Sequence, residues 1–60
     1  MKRYDVHCLD MRKTLTFSEK FLMDLPDMPR CVKDVIQTLE VGQSFTAHFT
    51  DLSFRFTRSA

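Results

Sequence analysis

Between residues 44 and 57 the chain alternates polar and apolar side chains and then inverts the alternation, and this inversion limits the fold more than any other feature. Phe45, Ala47 and Phe49 interleave with Ser44, Thr46, His48 and Thr50; after the switch Leu52, Phe54 and Phe56 interleave with Ser53, Arg55 and Thr57. Successive side chains of a strand point to opposite faces, so each half reads as a strand with one apolar face. The switch falls at Thr50-Asp51. A two-residue loop there sets Phe49 opposite Leu52, Ala47 opposite Phe54 and Phe45 opposite Phe56, and both apolar rows then face the same way. The segment is predicted to be a β-hairpin.

Such a row has to be covered, and the best cover in the sequence lies just before it. Pro26-Asp27-Met28-Pro29 interrupts whatever precedes, since each proline lacks an N–H and restricts its predecessor. A helix is predicted over residues 28 to 40, with Asp27 as its cap, Pro29 in its first turn and Gly42 at a left-handed stop. At about 100° per residue, Met28, Cys31, Val32, Val35, Ile36 and Leu39 fall on one side, with Arg30, Lys33, Asp34, Gln37 and Glu40 on the other.

The first half of the chain also alternates. Tyr4, Val6 and Cys8 interleave with Arg3, Asp5 and His7, Arg12-Lys13 forms a polar turn, and from Thr14 onward Leu15, Phe17, Phe21, Met23 and Leu25 share one parity. Glu19 and Leu22 break it. A helix competes over residues 17 to 25, because Thr16 and Glu19 have capping-box spacing, but it would put Ser18 inside its apolar side and Asp24 at that side's edge. The strand accounts for more positions and is the expectation. Two hairpins around one helix make an α+β domain spanning residues 1–60, ββαββ, with an antiparallel sheet and the helix packed on one face.

With 60 residues, a chain buries only about 60% of the surface its unfolded form exposes. Six Phe and four Met supply part of the deficit, and burial against a second copy would supply more. No run approaches the roughly 20 apolar residues that span a bilayer, and no secretory leader is recognisable behind Lys2-Arg3, so a cytoplasmic protein with reduced, buried Cys8 and Cys31 is expected.

Little in the sequence points to catalysis. His7, Cys8, Cys31 and His48 lack the short paired spacing of zinc sites, and the strand neighbours His7 and Cys8 face opposite ways. Cysteines on the apolar parity are poor nucleophiles. One glycine in the chain rules out a Gly-rich phosphate loop, and no hydrolase or metalloprotease motif occurs. No enzymatic activity, metal, cofactor or small-molecule substrate is predicted. Phe54-Arg55-Phe56 resembles a base-stacking platform only until the strand pleat is applied, which sends both rings to the core side.

The outer face of the sheet is then the expected acting surface, since one helix covers one side. Leu9, Met11 and Leu22 fall on the outer parity and would form an apolar patch rimmed by Arg3, His7 and Lys20. A non-catalytic interaction protein is expected, binding another protein or itself through the outer sheet face or an exposed strand edge and occluding a partner's surface, with Leu9, Leu22, His48, Arg55 and Arg58 as contact residues. Small regulators and inhibitors, including phage accessory proteins, are the analogy that size suggests. The alternatives are a nucleic-acid-binding module using Lys2, Arg3, Arg12, Lys13, Arg55 and Arg58, and a structural homo-oligomer. The net charge of +1 does not favour nucleic acid.

Overall fold

In the computed structural model, which describes residues 2–60, the chain runs β1 (Arg3–Cys8), β2 (Lys13–Ser18), α1 (Glu19–Met23), α2 (Arg30–Thr38), β3 (Ser44–His48) and β4 (Ser53–Arg58). All strand pairs are antiparallel and the sheet order is β2-β1-β4-β3. This is the α+β class expected, with the two hairpins side by side and β1 and β4 at the centre.

The C-terminal hairpin has the register its alternation dictates. Phe45 lies opposite Phe56 and Ala47 opposite Phe54, while the Phe49 N–H donates to the Leu52 carbonyl at 2.8 Å, closing the loop at Thr50-Asp51. Val6 of β1 then faces Phe56 on one side and Leu15 of β2 on the other. The helix-side face of the sheet is therefore built from Tyr4, Val6, Leu15, Phe17, Phe45, Ala47, Phe54 and Phe56. Tyr4, Phe56, Ala47, Leu22, Val32, Ile36 and Leu39 form the buried core.

Residues 17 to 25 do not continue as a strand. Strand β2 stops at Ser18, whose Oγ accepts a hydrogen bond from the Phe21 N–H at 3.2 Å and caps α1. The cap is Ser18, not Thr16. The physical reason is Leu22: in a strand its parity would put it on the outer face, whereas one helical turn carries it inward, where it is 1% exposed. That gain outweighs the two weakly placed polar residues that counted against a helix, Ser18 and Asp24, because these become the N-cap and C-cap of α1.

Helix α2 is shorter than residues 28 to 40. It starts after Pro29, which has no side-chain cap bond, so Asp27 does not cap it, and it ends at Leu39. Gly42, at φ +90°, serves the β-turn of residues 40–43 rather than the helix stop: Gln43 N–H donates to the Glu40 carbonyl at 2.9 Å. Val32, Ile36 and Leu39 of the expected stripe are buried, but Cys31 is exposed; only Cys8 is a buried thiol. The carbonyls at the end of α2 find cations instead of a cap residue. Arg58 Nη1 donates to the Leu39 carbonyl at 3.0 Å and Lys2 Nζ to that of Gln37 at 3.3 Å. Lys33 does the same for α1, bonding the Met23 carbonyl at 2.7 Å.

Two leucines of similar sequence context should thus respond differently to truncation. Leu22→Ala should lower the unfolding free energy of the single chain by about 2–5 kcal/mol, while Leu15→Ala on the exposed edge should change that single-chain value by no more than about 0.5 kcal/mol. Urea denaturation followed by circular dichroism measures both, and equal effects would contradict the assignment of Leu22 to the core.

Candidate functional site

The two faces of the sheet differ in kind. On the outer face, cross-strand neighbours carry short polar side chains that bond one another. His7 Nδ1 and Thr14 Oγ1 lie 2.6 Å apart, Thr16 Oγ1 donates to Asp5 Oδ1 at 2.8 Å, Ser44 and Thr57 hydroxyls lie 2.8 Å apart, and His48 Nδ1 and Ser53 Oγ 2.9 Å apart. Each of these pairs is in register across its ladder. The face is polar, with its bonding capacity largely satisfied internally, and among the described residues its strands present no apolar anchor.

This changes the standing of the expected contact residues. Leu22 is in the core, so it belongs to no surface patch, and the Leu9-Met11-Leu22 cluster does not exist. Leu9 is half-buried in the turn after β1, where its N–H donates to the Ser53 carbonyl at 3.0 Å. His48 and Arg55 do lie on the outer face, Arg55 between His7 and Thr46. Arg58 is on the opposite face, tied to Leu39 and Ala60. The six bases of the nucleic-acid set are likewise divided: Arg3 and Arg55 outside, Lys2 and Arg58 at the end of α2, Arg12 and Lys13 at the β1–β2 turn. They do not form one stripe. Among the described residues, no group of three or more His, Cys, Asp or Glu is placed to hold a metal ion, and no helix is long and apolar enough to cross a membrane.

The helix-side face is the one left unfinished. A nine-residue helix spans only about 14 Å, less than the length of a six-residue strand, so α2 cannot roof the whole sheet. It packs against α1 and β3 and leaves the part nearest β2 and the hairpin tip open. A trough of ≈ 390 Å³ runs there between Phe17, Phe21, Leu25, Met28, Phe49 and Phe54. A second depression of ≈ 260 Å³, lined by Met11, Lys13 and Leu15, shares Val6, Phe17 and Phe54 with it. Phe17 and Phe21 stack at 4.7 Å, and Phe49 meets Phe54 edge-on at 5.7 Å, so the walls are largely aromatic. Leu15 is 61% exposed, Met11 58% and Phe21 49%. Among the described residues, Asp27 is the sole charged one lining the larger trough, and a small polar metabolite needs several convergent polar groups. The lining suits apolar side chains.

The alternation places Leu15, Phe17 and Phe54 on the core side of their strands, beneath the expected helix. The helix expected over residues 28 to 40 would match the length of a six-residue strand, whereas α2 has nine residues, so the trough follows from a shortening that the sequence pattern does not signal.

No protein-family model, curated protein or solved structure matches the chain.

Among the described residues, one titratable group is clearly perturbed. Tyr4 is fully buried, its hydroxyl donating to Glu19 Oε2 at 3.4 Å, with Lys2 Nζ 3.5 Å from the same oxygen. Burial pushes the phenol above its ordinary value of 10.0, the Glu19 charge and its hydrogen bond push the same way, and Arg58 opposes them. A folded pKa raised above the unfolded one leaves stability intact below the unfolded value and removes it as pH rises through the folded value. Stability should therefore fall above about pH 10. Tyr4 is the single tyrosine, so tyrosinate absorbance reports it alone: it should appear together with loss of the circular dichroism signal, and Tyr4→Phe should remove this contribution. Phenolate forming at the ordinary pH in a folded chain would refute the coupling.

Proposed function

We propose that this domain is a non-catalytic interaction module that binds a protein partner through the apolar trough on the helix side of the sheet and acts by occluding the surface it covers. The observation that carries this is the trough itself: a continuous aromatic and aliphatic lining left open beside an unpaired strand edge. Contiguous apolar patches on small soluble proteins mark interaction sites, and interface cores are enriched in aromatic residues and Met and depleted of charge. Phe17, Phe21, Phe49, Phe54, Met11 and Met28 fit that description.

The contact set accordingly moves from the outer face to the trough. Leu15 and Phe21 replace Leu9 and Leu22 as the residues whose loss should matter most, and Arg55 and His48 become bystanders on the outer face. A nucleic-acid role has less support, because the basic residues are dispersed and two of them are engaged at the end of α2. Of the other four, Arg3 and Arg55 share their face with Asp5, while Arg12 and Lys13 lie apart from them where β2 begins.

An anilinonaphthalene dye, which fluoresces on entering apolar clefts, tests the reading. The wild-type chain should enhance its fluorescence; Leu15→Glu and Phe21→Glu should abolish the enhancement with little change in melting temperature, and Arg55→Glu should leave it intact. Labelled DNA and RNA titrated at two salt concentrations should show no binding even at the lower one. Dye binding that survives both trough substitutions, or salt-sensitive nucleic-acid binding lost in Arg55→Glu, would overturn the proposal.

A further inference from the structure

We propose that the partner is a second copy of this chain, joined through the free edge of β2 so that two four-stranded sheets become one of eight; this rests on the reading of the trough as an interface. The hydrogen-bond phase of the β1–β2 ladder fixes which main-chain groups of β2 are free. Glu19 N–H donates to the Lys2 carbonyl at 3.1 Å, in the same register that pairs Tyr4 with Phe17 and Val6 with Leu15. Bonded and non-bonded pairs alternate in an antiparallel ladder. The odd residues of β2 therefore bond to β1, and Thr14 and Thr16 turn their N–H and C=O groups outward, where no strand of the described residues meets them.

The other edge of the sheet, β3, is finished in a way that β2 is not. Ala47 of β3 is buried and Phe45 half-buried beneath α2, whereas Leu15 of β2 is exposed beside its open edge. An unpaired edge with apolar side chains alongside is a template for another strand.

The sequence of β2 is complementary to itself. Antiparallel pairing of two copies must put apolar residues opposite apolar ones, because a shift by one residue would turn Leu15 against a polar face. The register centred on Leu15, the exposed apolar residue of the strand, sets Thr14 of each copy against Thr16 of the other. It forms four main-chain hydrogen bonds and places Leu15 against Leu15 on the two-fold axis, as a non-bonded pair with side chains close. Charge follows the same symmetry. The basic start of each strand, Arg12 and Lys13, meets the end of the other, where Glu19 follows Ser18. Lys13 falls opposite Phe17, which stacks on the exposed Phe21, so its ammonium comes within reach of an aromatic pair. Met11, exposed at the basic end, reaches toward the same aromatic pair.

Sedimentation equilibrium of the full chain should give twice its 7.1 kDa mass. Leu15→Lys, at a residue outside the core, should weaken the dimer by at least roughly tenfold while the melted and folded signals stay as in wild type. In a Cys31→Ser background, which removes the exposed native thiol, Leu15→Cys should oxidise to a covalent dimer, because a non-bonded cross-strand pair lies within disulfide range. Thr14→Cys, offset from its own copy by two residues, should not. Crosslinking of the Thr14→Cys variant without crosslinking of the Leu15→Cys variant would overturn the proposed register and interface. A monomer at every accessible concentration overturns the second copy; if it still binds the apolar dye in a manner lost in Phe21→Glu, the trough stands as a site for a foreign strand or helix. A monomer with no such dye binding overturns both.

Discussion

The whole structure depends on β1 lying beside β4. Each hairpin is specified locally, but an isolated two-stranded hairpin is marginal in water. Pairing Tyr4 through Cys8 with Phe54 through Arg58 joins the two into one sheet, and only that joint creates an apolar surface wide enough for a helix to cover. The joint is also the entropically costly contact, since it links the two ends of the chain across a long loop. It is stabilised where the core is densest. Tyr4 and Phe56 are fully buried beside the seam and Ile36 packs above them.

Cations complete this arrangement at its polar end. Arg58, at the end of β4, and Lys2, just before β1, bond the carbonyls that terminate α2. The same two residues would have been part of a phosphate-binding set had they pointed outward. Their position illustrates why counting bases in a sequence says little about nucleic acid: a helix end with unsatisfied carbonyls competes for the same side chains.

The contrast between the faces follows from satisfaction of bonding groups. Threonines, serines and histidines on the outer face bond across strands, so that face can meet water without further partners. The helix side holds the unburied apolar surface, since α2 is too short for the sheet beneath it. Any strong contact this domain makes is more readily made there, where water is already poorly accommodated.

The C-terminal hairpin was legible residue by residue, because an inversion of alternation at Thr50-Asp51 has one geometric solution and every interaction that realises it is local. The side of α2 that faces the core was legible for the same reason, through Val32, Ile36 and Leu39. What local pattern could not decide was anything that depends on a distant neighbour. Leu22 looked like an outer-face residue of a strand until the core drew it inward through a turn of helix, and the exposure of Cys31 depends on where the edge of that core happens to fall. The order of the strands, and with it the open edge of β2, follows from the pairing of β1 with β4; the incomplete roof over Phe17 and Phe54 follows from the length of α2 set against the width of the assembled sheet. A sequence states which side chains prefer burial; only the packed structure determines whether there is enough of the chain to bury them.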